Sequence, residues 1–325
     1  LSISVIIPTY NRLNLLKETI HNVLNQTLRP DEIIVVDTGS SDGTVTFLKD
    51  RYKNQIQIVN CLKKSPGAAR NLGLSIASCK YIQYLDSDDV MTINKLKSQK
   101  DKINKTNMGL VYGPYVHVTK NIYQQTWEQK DVIIQYKPIP ASMTLHKCMV
   151  RGFFTIVPSF LFEKDFLKEV GPWNEEMIAY EDWDYLWRIG NICSNPPHTN
   201  DCCYFYRIHG NQTTQNHYQD KERDIQKVVI FNQLYHKYVK NTTNLSKIEK
   251  LYFRSLLTYS VTKILNPSDV DVPFNLYNSS IIKNIMNYRN IISKFNRIWT
   301  NSDWQIMHGI NKSKKEFNKY RALIK

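Results

Sequence analysis

Short β-branched runs alternate with amphipathic segments through the first 85 residues, and few folds satisfy that pattern. Ser4-Val5-Ile6-Ile7, Glu32-Ile33-Ile34-Val35-Val36-Asp37, Ile56-Gln57-Ile58-Val59 and Lys80-Tyr81-Ile82-Gln83-Tyr84-Leu85-Asp86 read as buried strands. Between them, Leu15, Leu16, Ile20, Val23 and Leu24 recur at helical spacing. Ser41 and Asp42 can cap a helix through Val45 and Leu48. Ser65-Pro66 supplies an N-cap and a first-turn proline ahead of Ala68 to Ala77. Strand, helix, strand, helix implies right-handed crossovers, so the reading is an α/β chain: a Rossmann-like, mainly parallel sheet with flanking helices.

Beyond this half the pattern is mixed. Short strands are expected within Gly109 to Val118, a short helix at Glu163 to Glu169, a longer one at Glu181 to Ile192 and a strand at Cys202 to Ile208. After about Tyr218 the strand signal fades, and amphipathic helices are expected at 221–239, 246–265 and 281–299. The division is therefore an α/β domain at 1–225 and a basic helical region at 226–325. A chain of 325 residues buries enough core to fold without disulfide or zinc. Its six cysteines form no CxxC pair and read as reduced thiols of a cytoplasmic protein. Residues 1–7 are too short an apolar stretch for a signal sequence, the absence of an initiator Met reads as an internal start, and no run is long enough to span a membrane.

The net charge is +14, and residues 241–325 hold 14 Lys/Arg against 5 Asp/Glu. Lys312-Ser313-Lys314-Lys315, with Trp299, Trp304 and Phe317 nearby, suggests peripheral contact with an anionic membrane at its inner, cytoplasmic face. A solvated helical face and a homo-oligomer through the C-terminal helices are the other readings. Nucleic acid is not an expected partner: acids crowd the predicted sheet edge and no RNA-binding or helix-turn-helix signature occurs.

Ligands of open α/β sheets bind beyond the carboxyl ends of the strands. Three polar clusters fall there: Pro8-Thr9-Tyr10-Asn11-Arg12, Asp37-Thr38-Gly39-Ser40 and Asp86-Ser87-Asp88-Asp89. Singly, each is an ordinary turn; together they point to one ligand site. Three carboxylates in four residues repel one another unless a cation sits among them, and oxygen ligands suit Mg²⁺ or Mn²⁺ on a diphosphate. The same acids could instead favour a helix N-terminus before Leu96. Ser65-Pro66-Gly67-Ala68-Ala69-Arg70-Asn71-Leu72-Gly73 is neither a Walker A loop nor GxGxxG. Tyr180-Glu181-Asp182-Trp183-Asp184 sets three acids beside aromatics at a helix start, where an ionised carboxylate can take a proton from a hydroxyl.

In order and spacing, Ser4 to Asn11, Val35 to Thr44, Ala69 to Gly73 and Leu85 to Asp89 resemble the signature of family 2 inverting glycosyltransferases with the GT-A fold. Glu181-Asp182 resembles that family's Glu-Asp motif, and Tyr206 to Asn211 a weaker later one; the likeness runs from about 2 to 215. The resemblance implies a metal-dependent transferase of surface-polysaccharide type, moving a sugar from a nucleotide-sugar donor to a glycan or lipid-linked acceptor, with UDP-sugars favoured. It implies that Pro8, Thr9, Tyr10, Asn11, Asp37, Arg70, Ser87 and Asp88 line the nucleotide. Asp86, Asp88, Asp89 and His209 would serve Mn²⁺ or Mg²⁺, and Asp182 would be the base, with Asp184 and then Glu181 next in line. Thr38 stands where many relatives carry a second acid facing uracil, so guanine and thymine donors stay open. A glycoside hydrolase with paired carboxylates and a catalytically degenerate glycan-binding protein are the alternatives.

Overall fold

The computed structural model describes residues 2–121, 126–150, 155–177, 180–210, 229–247, 249–250, 253 and 314–323. Two compact units divide the chain. The first comprises 1–142, 155–209 and 308–325; the second comprises 143–154 and 210–307.

In the first unit, β1 (Ile3–Thr9), β2 (Glu32–Asp37), β3 (Gln57–Asn60) and β4 (Tyr81–Tyr84) alternate with α1 (Leu13–Leu24), α2 (Thr44–Tyr52) and α3 (Pro66–Ile76). The strands pair in parallel in the order β3-β2-β1-β4. Val5, Ile6, Ile7, Ile34, Val35 and Val36 are fully buried, which is what continuous apolar strands demand. Ser65 caps α3 by accepting from Ala68 N, and Pro66 opens the helix. Helix α3 lies so close to the sheet that a Cβ on Gly73 would collide with Ile6 Cγ2 and sit 3.3 Å from Val36 Cγ2.

After β4 come β5 (Val90–Met91), α4 (Lys95–Thr106), β6 (Leu110–Tyr112), β7 (Tyr115–Asn121), β8 (Thr126–Ile134), β9 (Phe160–Glu163), α6 (Lys164–Val170), α7 (Glu181–Ile192) and β10 (Tyr204–Ile208), with α5 (Leu145–Val150) in the second unit. Strand β9 joins the large sheet antiparallel to both β4 and β6, the one reversal in an otherwise parallel sheet. A second sheet, β5-β10-β7-β8, gathers the expected strand at Cys202 to Ile208 and one of those expected within Gly109 to Val118, but β5, β8 and the sheet itself have no counterpart in the sequence reading. Its strands come from distant stretches, and β5 is two residues long, too short to show a period.

Strand β5 lies at the edge of that sheet, and its outer side is met by a side chain. Asn22 Nδ2 donates to Met91 O and Asn22 Oδ1 accepts from Met91 N, both at 2.9 Å.

The sequence division at 225/226 needs correction at the C-terminus. Helix α8 (Lys314–Arg321) belongs to the first unit. Phe317 and Tyr320 are buried with Val90, Val116, Val118, Ile133, Cys203 and Phe205. Ile93 N donates to Leu323 O at 2.6 Å. Phe317 is therefore core, not a membrane anchor. The expected helix at 221–239 is seen over 229–239, ending in a π-helix at Tyr235–Val239; 281–299, Trp299 and Trp304 lie outside the described residues. All six cysteines are unpaired and buried. Among the described residues no helix is long and apolar enough to cross a membrane.

Gly73→Ala should lower the unfolding free energy by about 1–3 kcal/mol, the usual cost of overpacking a core. Urea denaturation followed by circular dichroism checks this; an unchanged midpoint would mean that α3 can shift freely on the sheet.

Candidate active site

Strands β1, β2 and β4 end at one edge of the large sheet. Thr9 and Asp37 stand in register there on adjacent parallel strands. Asp37 Oδ2 accepts from Gly39 N at 3.0 Å and Ser40 N at 2.9 Å, which folds the β2 turn. Asp37 Oδ1 and Thr9 Oγ1 are buried and bond to no described residue. Buried polar atoms without partners are rare, so two side by side suit a polar ligand. Asn11, at φ +49°, bridges the two turns: its N donates to Ser40 Oγ and its Oδ1 accepts from Ser41 N, both at 2.8 Å. Pro8 is half-buried on β1, and Tyr10 is 47% exposed at the mouth with Lys64 Nζ 5.5 Å from its ring. Thr38 turns its hydroxyl to Thr9 O at 3.3 Å.

The acidic segment carries the chain from β4 in the large sheet to β5 in the small one, and its members do different work. Asp89, which the sequence reading places among the metal ligands, is 1% exposed with both oxygens occupied. Its Oδ2 accepts from Tyr204 OH at 2.6 Å and its Oδ1 from Arg207 N at 2.8 Å. It anchors the loop from inside. Burial, and then the neighbouring Asp88 and Asp86 charges, push its pKa well up. Ser87 is buried, and its carbonyl lies 3.0 Å from Thr19 Oγ1.

Asp86 and Asp88 are half-buried. Asp88 Oδ2 lies 3.1 Å from His209 Nε2 and 3.4 Å from Arg12 Nε. Burial works against the Asp88 charge, but His209, Arg12 and Arg207 outweigh it and hold its pKa down. Asp86 is shifted up by burial and by Asp88, against the pull of Arg70. Among the described residues no group of three or more His, Cys, Asp or Glu converges as a metal cage. Asp88 with His209 is an oxygen-and-imidazole pair that would leave most positions of a hard cation to phosphate and water, while Asp86 is turned to Arg70.

Opposite lies the start of α7. The chain enters it through Tyr180 at φ +59°, a left-handed conformation that is strained for a bulky side chain. Glu181, Asp182 and Asp184 fill the first turn, where the helix dipole favours negative charge. Asp182 Oδ1 is buried and accepts no hydrogen bond from a described residue. Burial and then Glu181 raise its pKa well above the carboxylate range, Arg70 opposing them. Asp184, second in line as base, is instead 2% exposed and paired with Arg188 at 2.8 Å. It faces away from that role. Arg70, assigned to the nucleotide, is also placed otherwise. Its buried guanidinium reaches Glu181 Oε1 and Asp86 Oδ1 at 2.9 Å each and covers the Trp173 ring at 4.5 Å.

Arg207 was not assigned from sequence. It is fully buried and donates to Asp88 O, to Glu18 Oε2 at 2.5 Å, and to Leu15 O and Thr19 Oγ1 on α1. A lone arginine inside the apolar run Tyr204–Ile208 was the available signal, since a buried charge must have partners.

The profile described as "Glycosyl transferase family 2" matches residues 4–171, just over half of the chain. The chain belongs to glycosyl transferase family 2. A relative from Escherichia coli, the UDP-Glc:alpha-D-GlcNAc-diphosphoundecaprenol beta-1,3-glucosyltransferase WfgD, is 28% identical over 68% of this chain and 83% of its own length. The minor teichoic acid biosynthesis protein GgaA of Bacillus subtilis is 42% identical over 30% of this chain and 24% of its own. An uncharacterized glycosyltransferase of Rickettsia conorii is 27% identical over 67% of this chain, but the chain spans only 36% of that relative's length. The S. aureus TarS 1–349 structure in complex with UDP-GlcNAc superposes with a TM-score of 0.58 at 19% identity, covering 80% of this chain and 72% of TarS. The fold of this family 2 chain is thus the GT-A fold, as the resemblance implies.

Arg207→Met should cost about 1–3 kcal/mol of stability, because it leaves the carbonyls of Asp88 and Leu15 without their donor and removes the tie to Glu18, while the backbone N–H that serves Asp89 stays. A thermal melt checks it; a loss below about 1 kcal/mol, the scale of a surface ion pair, would show that Arg207 is not a buried anchor.

Proposed function

We propose that the chain is an inverting glycosyltransferase that moves a sugar from a nucleotide-sugar donor, UDP-linked in the first instance, to a hydroxyl of a glycan or lipid-linked oligosaccharide during surface-polysaccharide assembly. One observation carries the reading. Thr9 Oγ1 and Asp37 Oδ1, buried at the sheet edge without a partner among the described residues, suit a nucleoside, while Asp182 Oδ1, likewise without a described partner, stands in the first turn of α7. A hydrolase with paired carboxylates has no use for the first pair. The E. coli relative's name, with its UDP-glucose donor and diphosphoundecaprenol acceptor, supports UDP and a polyprenyl-linked acceptor. The TarS structures with UDP-GlcNAc and UDP support the UDP-linked donor.

In this reading Asp37 and Thr9 bind the nucleoside, and Tyr10 and Asn11 border it. Asp88 with His209 would hold Mn²⁺ or Mg²⁺, with Asp86 adding its charge from the same loop. Such an ion stabilises the negative charge that grows on the leaving diphosphate. Asp182 takes the proton from the acceptor hydroxyl, whose oxygen attacks the anomeric carbon from the face opposite the diphosphate. One displacement inverts the configuration. Glu181 keeps Arg70 in place and adds to the field that raises the proton affinity of Asp182.

Thermal melts with UDP, GDP and TDP, each with and without Mn²⁺, test the site. Occupancy at about a hundred times Kd adds ~2.7 kcal/mol to stability, so a Mn²⁺-dependent rise with UDP is the expected result. No rise with any nucleotide would overturn the donor reading. Asp182→Asn should lower turnover by about 10²–10⁴-fold, the range of general-base catalysis, with nucleotide binding retained; equal loss of both would move the base elsewhere.

The base must be ionised to act. Because the Asp182 pKa is raised, activity should climb with pH through a midpoint above the ordinary value of about 3.9. A pH–rate profile flat from 4 upward would remove Asp182 from the role.

A further inference from the structure

Helix α3 and the base helix α7 are not neighbours in sequence, yet one short segment joins them. The side-chain amide of Asn71 grips the backbone of Trp173 from both sides, as a strand partner would. Its Oδ1 accepts from Trp173 N at 2.8 Å, and its Nδ2 donates to Trp173 O at 3.0 Å and to Glu175 Oε1 at 2.9 Å. One turn earlier, Gly67 presses on the same segment. A Cβ there would lie 2.9 Å from Asn174 O and 3.3 Å from Trp173 Cβ. Trp173 is buried, and its indole is stacked on Tyr185 of α7 at 3.9 Å, with the planes 5° apart. Its ring also underlies the Arg70 guanidinium and meets Tyr84 of β4 edge-on at 5.5 Å. Tyr185 follows Asp182 by about one helical turn.

We propose that Asn71, with the close approach at Gly67, is a positioning residue for the base: through Trp173 and Tyr185 it fixes the first turn of α7, and so Asp182, against the end of β4. The proposal rests on the function proposed above. The nucleoside atoms Thr9 Oγ1 and Asp37 Oδ1 lie outside this chain of contacts. Loosening it should therefore slow the chemical step and leave nucleotide binding in place. Misplacing a catalytic group by about 1 Å can cost on the order of a hundredfold in rate.

Asn71→Ala and Gly67→Ala in the full chain test this independently, one by removing the grip and the other by pushing the segment away. The readouts are UDP release from UDP-glucose and UDP-N-acetylglucosamine, and UDP affinity and stoichiometry by calorimetry. The expected result for both variants is a kcat lowered on the order of a hundredfold per UDP-binding site, with UDP Kd within about threefold of the unaltered chain. A stability defect alone would lower the number of UDP sites and not the rate per site. Unchanged turnover, or turnover and UDP affinity falling together, overturns the proposal. If Asn71→Ala does not fold, Asn71→Asp, which keeps the acceptor for Trp173 N, takes its place with the same expectation. An unaltered chain that neither binds UDP nor releases it from a donor defeats the proposed function itself; an active unaltered chain with unaffected variants defeats this inference alone.

Discussion

A single buried guanidinium ties the catalytic unit together. Arg70 comes from α3, Asp86 from the end of β4 and Glu181 from the first turn of α7, and the three meet at 2.9 Å on either side of the arginine. Removing that charge from water is expensive, and only well-placed carboxylates offset the cost. Burial disfavours the Arg70 charge, but Asp86, Glu181 and Asp182 together hold it more firmly protonated than a free arginine. These contacts therefore fix two elements against each other: the acid loop and the first turn of α7. Trp173 completes the arrangement by covering the face of the guanidinium.

A second buried arginine performs the corresponding task on the other side of the acid loop. Arg207 links β10 to α1, while Asp89 fastens the loop to Tyr204 and to the Arg207 backbone. The acidic motif is thereby split. Asp89 is consumed by the fold, and Asp86 and Asp88 remain half-buried at the surface where a cation and a diphosphate could meet them. Three acids in four residues are tolerable because each has a different partner: Arg70, the His209–Arg12 pair, and the dipoles of Tyr204 and the Arg207 amide.

How much of this was legible in the sequence follows from the range of the interactions. Strands β1 to β4 and helices α1 to α3 announce themselves, because burial on both faces leaves continuous apolar runs and Ser65-Pro66 caps locally. Strand β9 runs straight into α6, so Phe160–Glu163 loses its signal to the helix. The acids of the site were visible as a set, but not their division of labour. Whether Asp89 or Asp184 faces inward is decided by Tyr204 and Arg188, and the first of these is 115 residues away. Asn22 and Asn71 show the same limit. Each amide replaces a strand partner, for Met91 and Trp173 respectively, and nothing local marks an asparagine for that use.

Helix α8 shows how a correct local reading can still assign the wrong partner. Its apolar face is real, but Phe317 and Tyr320 are spent on the small sheet, against Val90 and Phe205, which flank the residues that hold the acid loop. An amphipathic helix needs some apolar surface to cover, and the unpaired face of a four-stranded sheet supplies it as readily as a bilayer does. What remains outward on α8 is Lys315, Asn318, Lys319 and Arg321. Charge without an aromatic wedge can draw a surface close to anionic lipid, but it cannot insert. The apolar side of α8 is thus committed to the fold, and the helix is part of the first unit.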